Sequence, residues 1–147
     1  LGMFATGITV VSTRTPAGAP IGLTVNSFNS VSLDPPLIVW SLAKELPSRD
    51  LFEGCEYYAI NVLAEDQTEL SQRFASRAGA RFAGLEIDEG VGGVPQLRGC
   101  CARFVCRNSV RHEGGDHLVF ISEVLSFDYA ERAPLLYFGG AYRRLMS

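Results

Sequence analysis

The composition of this chain excludes several classes of protein. Its 147 residues, 47% hydrophobic and only 20% charged, are enough for a single domain with a substantial core. The net charge is −3 and the basic residues are scattered, so a basic surface for nucleic acid is not expected. No apolar run approaches the roughly 20 residues that cross a membrane, so no membrane segment is expected either.

The chain begins at Leu1, and its first residues resemble the end of a helix whose start is missing. A signal peptide would need a basic segment and a cleavage site, and neither is visible. We expect residues 1–147 to form one domain with a truncated N-terminus.

Strands are predicted through the first half of the chain, where short β-branched runs alternate with turn signals. Asp34-Pro35-Pro36 separates two of these runs, because proline donates no hydrogen bond to a strand ladder. The run LIVWSL that follows is apolar enough to be buried on both faces. The predicted strands cover 8–14, 21–25, 28–33, 37–42 and 57–63.

Two short helices interrupt the strands. The first is predicted over 47–53. The second follows Asp66, which together with Glu69 resembles a capping box whose carboxylate meets the first helical N–H groups. Glu69 and Arg73 lie four residues apart and can form an ion pair on that helix. The glycine-rich residues 79–95 predict an irregular surface segment.

The last third of the chain has the pattern of hairpins. Residues 100–110 alternate apolar and polar side chains, the period of a half-buried strand, and Glu113-Gly114-Gly115-Asp116 predicts a turn. Returning strands are predicted over 117–127, 135–138 and 141–145. Six to eight strands with two or three short helices favour a mainly β fold, a small antiparallel barrel, because closing a sheet removes exposed edges.

The cysteine and histidine pattern argues against disulfides and metal. Neighbouring cysteines within one predicted strand do not form a disulfide framework, and zinc spacing is lacking. Reduced thiols indicate a cytoplasmic protein with no metal site. These residues are Cys55, Cys100, Cys101, Cys106, His112 and His117.

The most informative stretch is 21–42, where polar side chains crowd between two apolar strands. Buried and unpaired, each hydroxyl would cost about 1–3 kcal/mol. They therefore either face solvent as a polar rim or bind a planar, oxygen-rich ligand. The side chains concerned are Thr24, Asn26, Ser27, Asn29, Ser30 and Ser32.

Three further motifs each allow two interpretations. Gly114-Gly115-Asp116-His117 is either an ordinary hairpin turn or a turn that presents an imidazole to a flat ring. The segment YFGGAYRR, 137–144, either packs as a terminal strand or walls a planar cofactor. Ser48-Arg49 either caps a helix or receives a phosphate. Neither a G-x-G-x-x-G fingerprint nor a P-loop nor a G-x-S-x-G elbow occurs.

Taken together, several motifs resemble one family over nearly the whole chain. They are FATGITVV, GLTVNSFNSVSLDPPL, SLAK, YAINVLAEDQ, LSQRF, GGDH and PLLYFGGAYRRL. In this order and spacing they resemble the short-chain flavin reductases. Members of that family have the FMN-binding split-barrel fold and serve as reductase components of two-component flavin-dependent monooxygenases.

The resemblance implies a set of site residues. His117 would lie where the nicotinamide stacks on the flavin, with Tyr142 and Arg143 bordering the same pocket. After SLAK many relatives carry a serine followed by an arginine or threonine, whereas here the order is Glu45-Leu46-Pro47-Ser48-Arg49, so the phosphate-side assignment can shift by two residues. The implied flavin-binding residues are Thr24, Val25, Asn26, Ser27, Ser41, Leu42, Ala43, Ser48, Arg49, Ser71, Phe74, Tyr142 and Arg143.

The implied function is an NAD(P)H:flavin oxidoreductase. It would transfer hydride from NADH or NADPH to N5 of FMN, or of FAD, and pass reduced flavin to a monooxygenase partner. A homodimer is implied, and it would account for the apolar composition. A carrier that binds flavin without turnover remains an alternative, as does an oxidase acting on a flavin-like or pyridoxal-type phosphate.

Overall fold

The computed structural model of the protein describes residues 1–76 and 81–146. Apolar and polar residues alternate along most of its strands, and this pattern gives a mainly β fold, as predicted. In chain order the strands are β1 (Thr6–Gly7), β2 (Thr9–Arg14), β3 (Pro20–Val25), β4 (Asn29–Leu33), β5 (Pro36–Ala43), β6 (Tyr57–Val62), β7 (Ile87–Glu89), β8 (Pro95–Leu97), β9 (Ala102–Gly114), β10 (His117–Tyr129), β11 (Leu136–Phe138) and β12 (Ala141–Arg143). The helices are α1 (Arg49–Gly54) and α2 (Thr68–Ala75), and Val91–Gly93 forms a 3₁₀ turn.

Seven strands form one antiparallel sheet in the order β3-β2-β6-β9-β10-β5-β4. The strands at its two ends, β3 and β4, follow one another in the chain, so residues 26–28 bridge the two edges of the sheet. A second sheet has the order β1-β11-β12, and β7 pairs with β8. Within the described residues, no helix has the length and apolar character needed to cross a bilayer.

Several local predictions need correction. Strand β5 alternates buried and accessible side chains and is not buried on both faces, because one face of this antiparallel sheet packs on the core. The capping box at Asp66 is wrong: α2 begins after Gln67, whose side-chain oxygen accepts the Ala64 N–H instead. The ion pair between Glu69 and Arg73 is confirmed at 2.9 Å.

Two segments differ from the predicted outline. Residues 2–4 form a turn, closed by the Phe4 N–H on the Leu1 carbonyl, where a helix end was expected. The irregular segment predicted over 79–95 begins within 77–80, which lies outside the described residues. Its described part contains β7 and the 3₁₀ turn.

The main core lies on the inner face of the seven-stranded sheet and is built around Trp40. The indole stacks on Phe120 with ring centroids 4.5 Å apart and meets Phe52 and Tyr58 edge-on at 5.6 Å. Each of these rings is fully buried. Burial of one such side chain stabilises the fold by about 1.5–3 kcal/mol.

A second core cluster fills the space beside α2 and the three-stranded sheet. Its centre is Phe74 on the buried face of α2, packed edge-on against Phe82 at 4.9 Å. Ile8 and Leu135 belong to the same cluster. This cluster therefore holds α2 and the segment before β11 against the sheet.

The side chain of Asn61 makes three hydrogen bonds in the interior of the sheet. Its amide Nδ2 donates to the Val10 carbonyl at 2.8 Å and to Ser12 Oγ at 2.9 Å, and its Oδ1 accepts the Leu97 N–H at 2.9 Å. The side chain is fully buried. It ties β2, β6 and β8 together where water cannot replace a lost partner.

We predict that Asn61→Ala lowers the free energy of unfolding by about 2–4 kcal/mol, because it leaves the Leu97 N–H without a partner in the interior and removes two further buried hydrogen bonds. The Ser12 hydroxyl keeps its own bond to the Pro95 carbonyl. Urea unfolding followed by circular dichroism measures the change. Asn29→Ala is the matched control, since Asn29 is exposed and accepts only the neighbouring Ser30 N–H. Equal losses from both substitutions would contradict the assignment.

Candidate functional site

A cavity of about 200 Å³ lies where three strand ends meet. The end of β3 and the loop after it form one wall, the end of β5 forms another, and β10 starts beside them. The lining residues are Leu23, Thr24, Val25, Asn26, Ser27, Ser41, Leu42, Ala43, Leu46 and His117. We call this the first cavity.

Ser27 holds two walls of the first cavity together. Its hydroxyl accepts the Ser41 N–H at 2.9 Å and donates to the Ser41 carbonyl at 3.2 Å. Loop 26–28 is thereby fixed to β5. Asn26 beside it is exposed, and its side-chain amide makes no hydrogen bond with a described residue, so it is free to meet a ligand.

The imidazole of His117 enters the first cavity from the start of β10. Cross-strand pairing places it directly opposite Ala43 of β5, and its side chain is 45% exposed. Its Nδ1 lies 2.8 Å from Asp116 Oδ1. The hydrogen bond with His117 lowers the pKa of the Asp116 carboxyl.

A second cavity of about 260 Å³ adjoins the first. It lies between β3, α2 and the three-stranded sheet, and it shares the residues from Thr24 to Asn26 with the first cavity. Its lining residues are Ile8, Thr24, Val25, Asn26, Ser71, Ala75, Tyr137 and Tyr142.

Hydroxyl groups are already ordered in the second cavity. Ser71 is fully buried, and its Oγ lies 2.8 Å from the Tyr142 hydroxyl. Thr24 Oγ1 donates to the Ser71 carbonyl at 2.7 Å. The ring of Tyr142 meets Tyr137 edge-on, with centroids 5.6 Å apart. The cavity thus combines aromatic walls with a hydroxyl pair that can donate or accept.

His117 and Tyr142, expected to border one pocket, lie in two adjoining cavities. His117 lines the first cavity and Tyr142 lines the second, and the strand end from Thr24 to Asn26 stands between them. The two are separated because His117 begins β10 in the seven-stranded sheet, whereas Tyr142 lies on β12 in the three-stranded sheet.

Four residues implied by the resemblance line neither cavity. Phe74 is fully buried in the second core cluster. Arg143 is exposed at the end of β12. Ser48 is the N-cap of α1 without a side-chain capping bond, and Arg49 is paired with Glu53 at 2.7 Å, a hydrogen bond that raises the pKa of the guanidinium. Contact of Ser48, Arg49 and Phe74 with the flavin phosphate stays a prediction, as does the place of Arg143 beside the flavin.

Sequence reasoning missed several lining residues. Leu46 follows the SLAK motif, and its closeness to the motif was the available signal. Tyr137 lies in the YFGGAY segment and pairs with Thr6 across the small sheet. The others are apolar residues that resemble ordinary core: Leu23, Ile8 and Ala75.

The two cavities fit a planar, oxygen-rich ligand such as a flavin. Together they fall in the range of roughly 300–1,000 Å³ that small-molecule sites occupy. They offer a free amide at Asn26, the hydroxyls of Ser71 and Tyr142, and aromatic walls. Across the described residues, His, Cys, Asp and Glu do not gather into a group of three that could bind a metal ion.

A larger cavity of about 610 Å³ shares no residue with these two. It lies between the turn after β2 and α1. Arg14 in its wall donates to the carbonyls of Gly93 and Gly18 and to the carboxylate of Glu89, so its guanidinium is already occupied. Asp50 and Glu56 add negative charge. This wall is poorly suited to a phosphate-bearing nucleotide.

Comparisons with known proteins show what this chain is similar to. The chain is 47% identical over 144 residues to the FMN reductase (NADH) SmoA of Agrobacterium fabrum, covering 98% of this chain and 82% of the relative. It is 41% identical over 141 residues to the reductase component of a flavin-dependent trigonelline monooxygenase from Acinetobacter baylyi, covering 96% of this chain and 46% of that longer protein.

The chain is also similar to a solved structure. The Streptomyces globisporus NADH:FAD oxidoreductase SgcE6, in complex with NAD and FAD fragments, superposes with a TM-score of 0.93 at 33% identity. The match covers 99% of this chain and 88% of that one. The fold predicted from the motifs, a mainly β split barrel with a few short helices, is confirmed. The flavin reductase-like domain model matches residues 1–146, and the chain belongs to that family.

Proposed function

We propose that the protein is an NADH-dependent flavin reductase that reduces FMN or FAD and supplies the reduced flavin to a separate monooxygenase. The observation that carries this proposal is the pair of adjoining cavities joined by Thr24, Val25 and Asn26 in a chain of the flavin reductase family. Hydride transfer between a nicotinamide and a flavin requires neighbouring sites for two flat rings.

The residues of the chain act in this proposal by binding and orienting. A bound flavin would supply the hydride acceptor for reduced nicotinamide, so the chain would not need to provide an acid–base pair for that transfer. Asn26 and the fixed loop around Ser27 donate hydrogen bonds to the ring edge. By holding the nicotinamide and the flavin in contact in the right orientation, the protein would replace a chance encounter in solution, and this supplies much of the rate enhancement of hydride transfer.

His117 is assigned to the nicotinamide. It stands at the mouth of the first cavity, and an imidazole there can stack on a flat ring or hydrogen-bond to its carboxamide. Ser71 and Tyr142 are assigned to the flavin, because their hydroxyl pair lies in the second cavity. Ser48 and Arg49 remain our proposal for the phosphate side.

The subunits are proposed to associate as a homodimer in the cytoplasm. Leu33 at the sheet edge is 92% exposed and Phe127 on β10 is 67% exposed, which is unusual for a surface that stays in water. The cysteines of the chain, Cys55, Cys100, Cys101 and Cys106, are all free, which suits a reducing compartment.

A flavin carrier without turnover is the second candidate. The free amide and hydroxyls of the cavities suit either function. What favours the enzyme is the imidazole of His117 in the first cavity, since a carrier has no need to orient a nicotinamide.

We expect oxidation of NADH at 340 nm by the purified protein to require added FMN or FAD. In this assay His117→Ala is expected to raise KM for NADH by about 5–20-fold, from the loss of one stacking or hydrogen-bonding contact, with a smaller change for flavin. His112→Ala is the matched control, because His112 is exposed and lines neither cavity.

Two results of that assay would argue for other roles. Saturable flavin binding without turnover would support the carrier. A His117 variant that lost flavin affinity while keeping its KM for NADH would place the imidazole on the flavin instead.

We predict that Tyr142→Phe weakens flavin binding by about 2–10-fold. The variant lacks the hydroxyl that pairs with Ser71 and that we assign to the flavin, so one hydrogen bond to the flavin is not made. Quenching of flavin fluorescence on titration measures the dissociation constant. Tyr129→Phe is the control, since that ring is exposed on β10, outside both cavities. A dissociation constant unchanged in Tyr142→Phe would remove the hydroxyl pair from the flavin site.

We expect light scattering coupled to gel filtration to give twice the 16.0 kDa mass of the chain. Leu33→Glu is expected to shift the protein toward monomer, because it places a charge in the apolar contact. Val91→Glu, at an exposed position on the 3₁₀ turn, serves as the control. A wild-type mass near that of one chain would contradict the dimer.

A further inference from the structure

The turn between β9 and β10 brings a carboxylate to the imidazole of the first cavity. Asp116 is the last residue of this turn and His117 is the first residue of β10. The 2.8 Å contact joins Asp116 Oδ1 to the Nδ1 atom of the ring. The other ring nitrogen, Nε2, makes no hydrogen bond with a described residue.

The backbone of this turn is anchored to the end of β5. The Lys44 N–H donates to the Asp116 carbonyl at 2.9 Å, and the Lys44 ammonium pairs with Glu113 at the other end of the turn. Gly115 adopts φ +69°, a conformation that a residue with a side chain rarely takes. The position of Asp116 is therefore set by the fold.

The contact between Asp116 and His117 adds little to stability. The Asp116 side chain is 96% exposed, and ion pairs in water contribute little because solvent and salt screen them. Its consequence is chemical. A neutral imidazole has one donor nitrogen and one acceptor nitrogen, and a carboxylate only accepts. The carboxylate thus selects the ring form that carries its proton on Nδ1.

We propose that Asp116 is a positioning residue that fixes the Nδ1–H tautomer of His117, leaving the lone pair of Nε2 to accept a hydrogen bond from the carboxamide NH₂ of nicotinamide. This inference rests on the proposed function, because it assigns the ligand of the first cavity. Asp116 itself contacts the imidazole and lines neither cavity.

The tautomer can be measured without any activity. The chain has two histidines, so ¹H–¹⁵N spectra of the ring nitrogens contain only the signals of His112 and His117, and His112→Ala assigns them. The same spectra distinguish the neutral ring from the protonated one, and for the neutral ring we expect wild-type His117 as the Nδ1–H form. Asp116→Ala is expected to return it to the Nε2–H form that free histidine prefers. A wild-type Nε2–H form, or no change in the variant, overturns the proposal.

Kinetics test the second half of the proposal. We expect Asp116→Ala to raise KM for NADH by about 2–10-fold, the effect of one hydrogen bond, with kcat and KM for flavin nearly unchanged. Glu45→Gln removes an exposed negative charge close to the same turn without touching His117, and it is expected to behave like wild type.

The two experiments separate this inference from the proposed function. A change of tautomer with KM for NADH unaltered in Asp116→Ala, while His117→Ala raises it, overturns the role toward nicotinamide. Absence of all flavin-dependent NADH oxidation in the wild type overturns the proposed function and this role with it. The spectra would then still decide whether Asp116 orients the ring.

Discussion

The arrangement of the site depends on the register of β5 against β10. Trp40 pairs with Phe120 across these strands, and their rings stack at 4.5 Å inside the main core. The same register puts His117 opposite Ala43 at the strand ends. A slip by one residue would turn every side chain of the strand to the other face. The aromatic pair thus fixes, from the core, the position of an imidazole at the surface.

The polar residues at the end of β3 and in the loop after it have different roles. Ser27 holds loop 26–28 on β5, and Thr24 bonds the backbone of α2, so both hydroxyls help to build the walls of the cavities. Asn26 between them keeps its amide free at the boundary of both cavities. Because Thr24 and Ser27 are fixed by hydrogen bonds, the free amide of Asn26 is held in a preorganised position for binding the edge of a flat ring.

The sequence predicted most of the longer strands, because alternation sets which face is buried, but not the short strands β1 and β7. It also predicted most residues that line the first cavity, because Thr24–Ser27 and Ser41–Ala43 are short segments at strand ends. It could not show that His117 and Tyr142 occupy separate cavities, since this depends on two sheets meeting. Nor could it show where the Phe74 ring of the LSQRF motif packs: on α2 this ring lies in the second core cluster. Which neighbour a side chain packs against depends on how the helices and strands are arranged, and the local sequence pattern carries no information on that.

The charges around the site bear on how firmly a nucleotide can be held. Lys44 directly follows β5 and Arg49 is the first residue of α1, and both are already paired, with Glu113 and Glu53. A phosphate would have to compete with these carboxylates, so it gains less than it would from a free cation. Binding then rests on neutral hydrogen bonds and ring contacts, each of modest strength. Modest affinity is what a reductase needs if its reduced flavin is to leave for another enzyme, whereas a carrier would benefit from an unpaired cation at the same place.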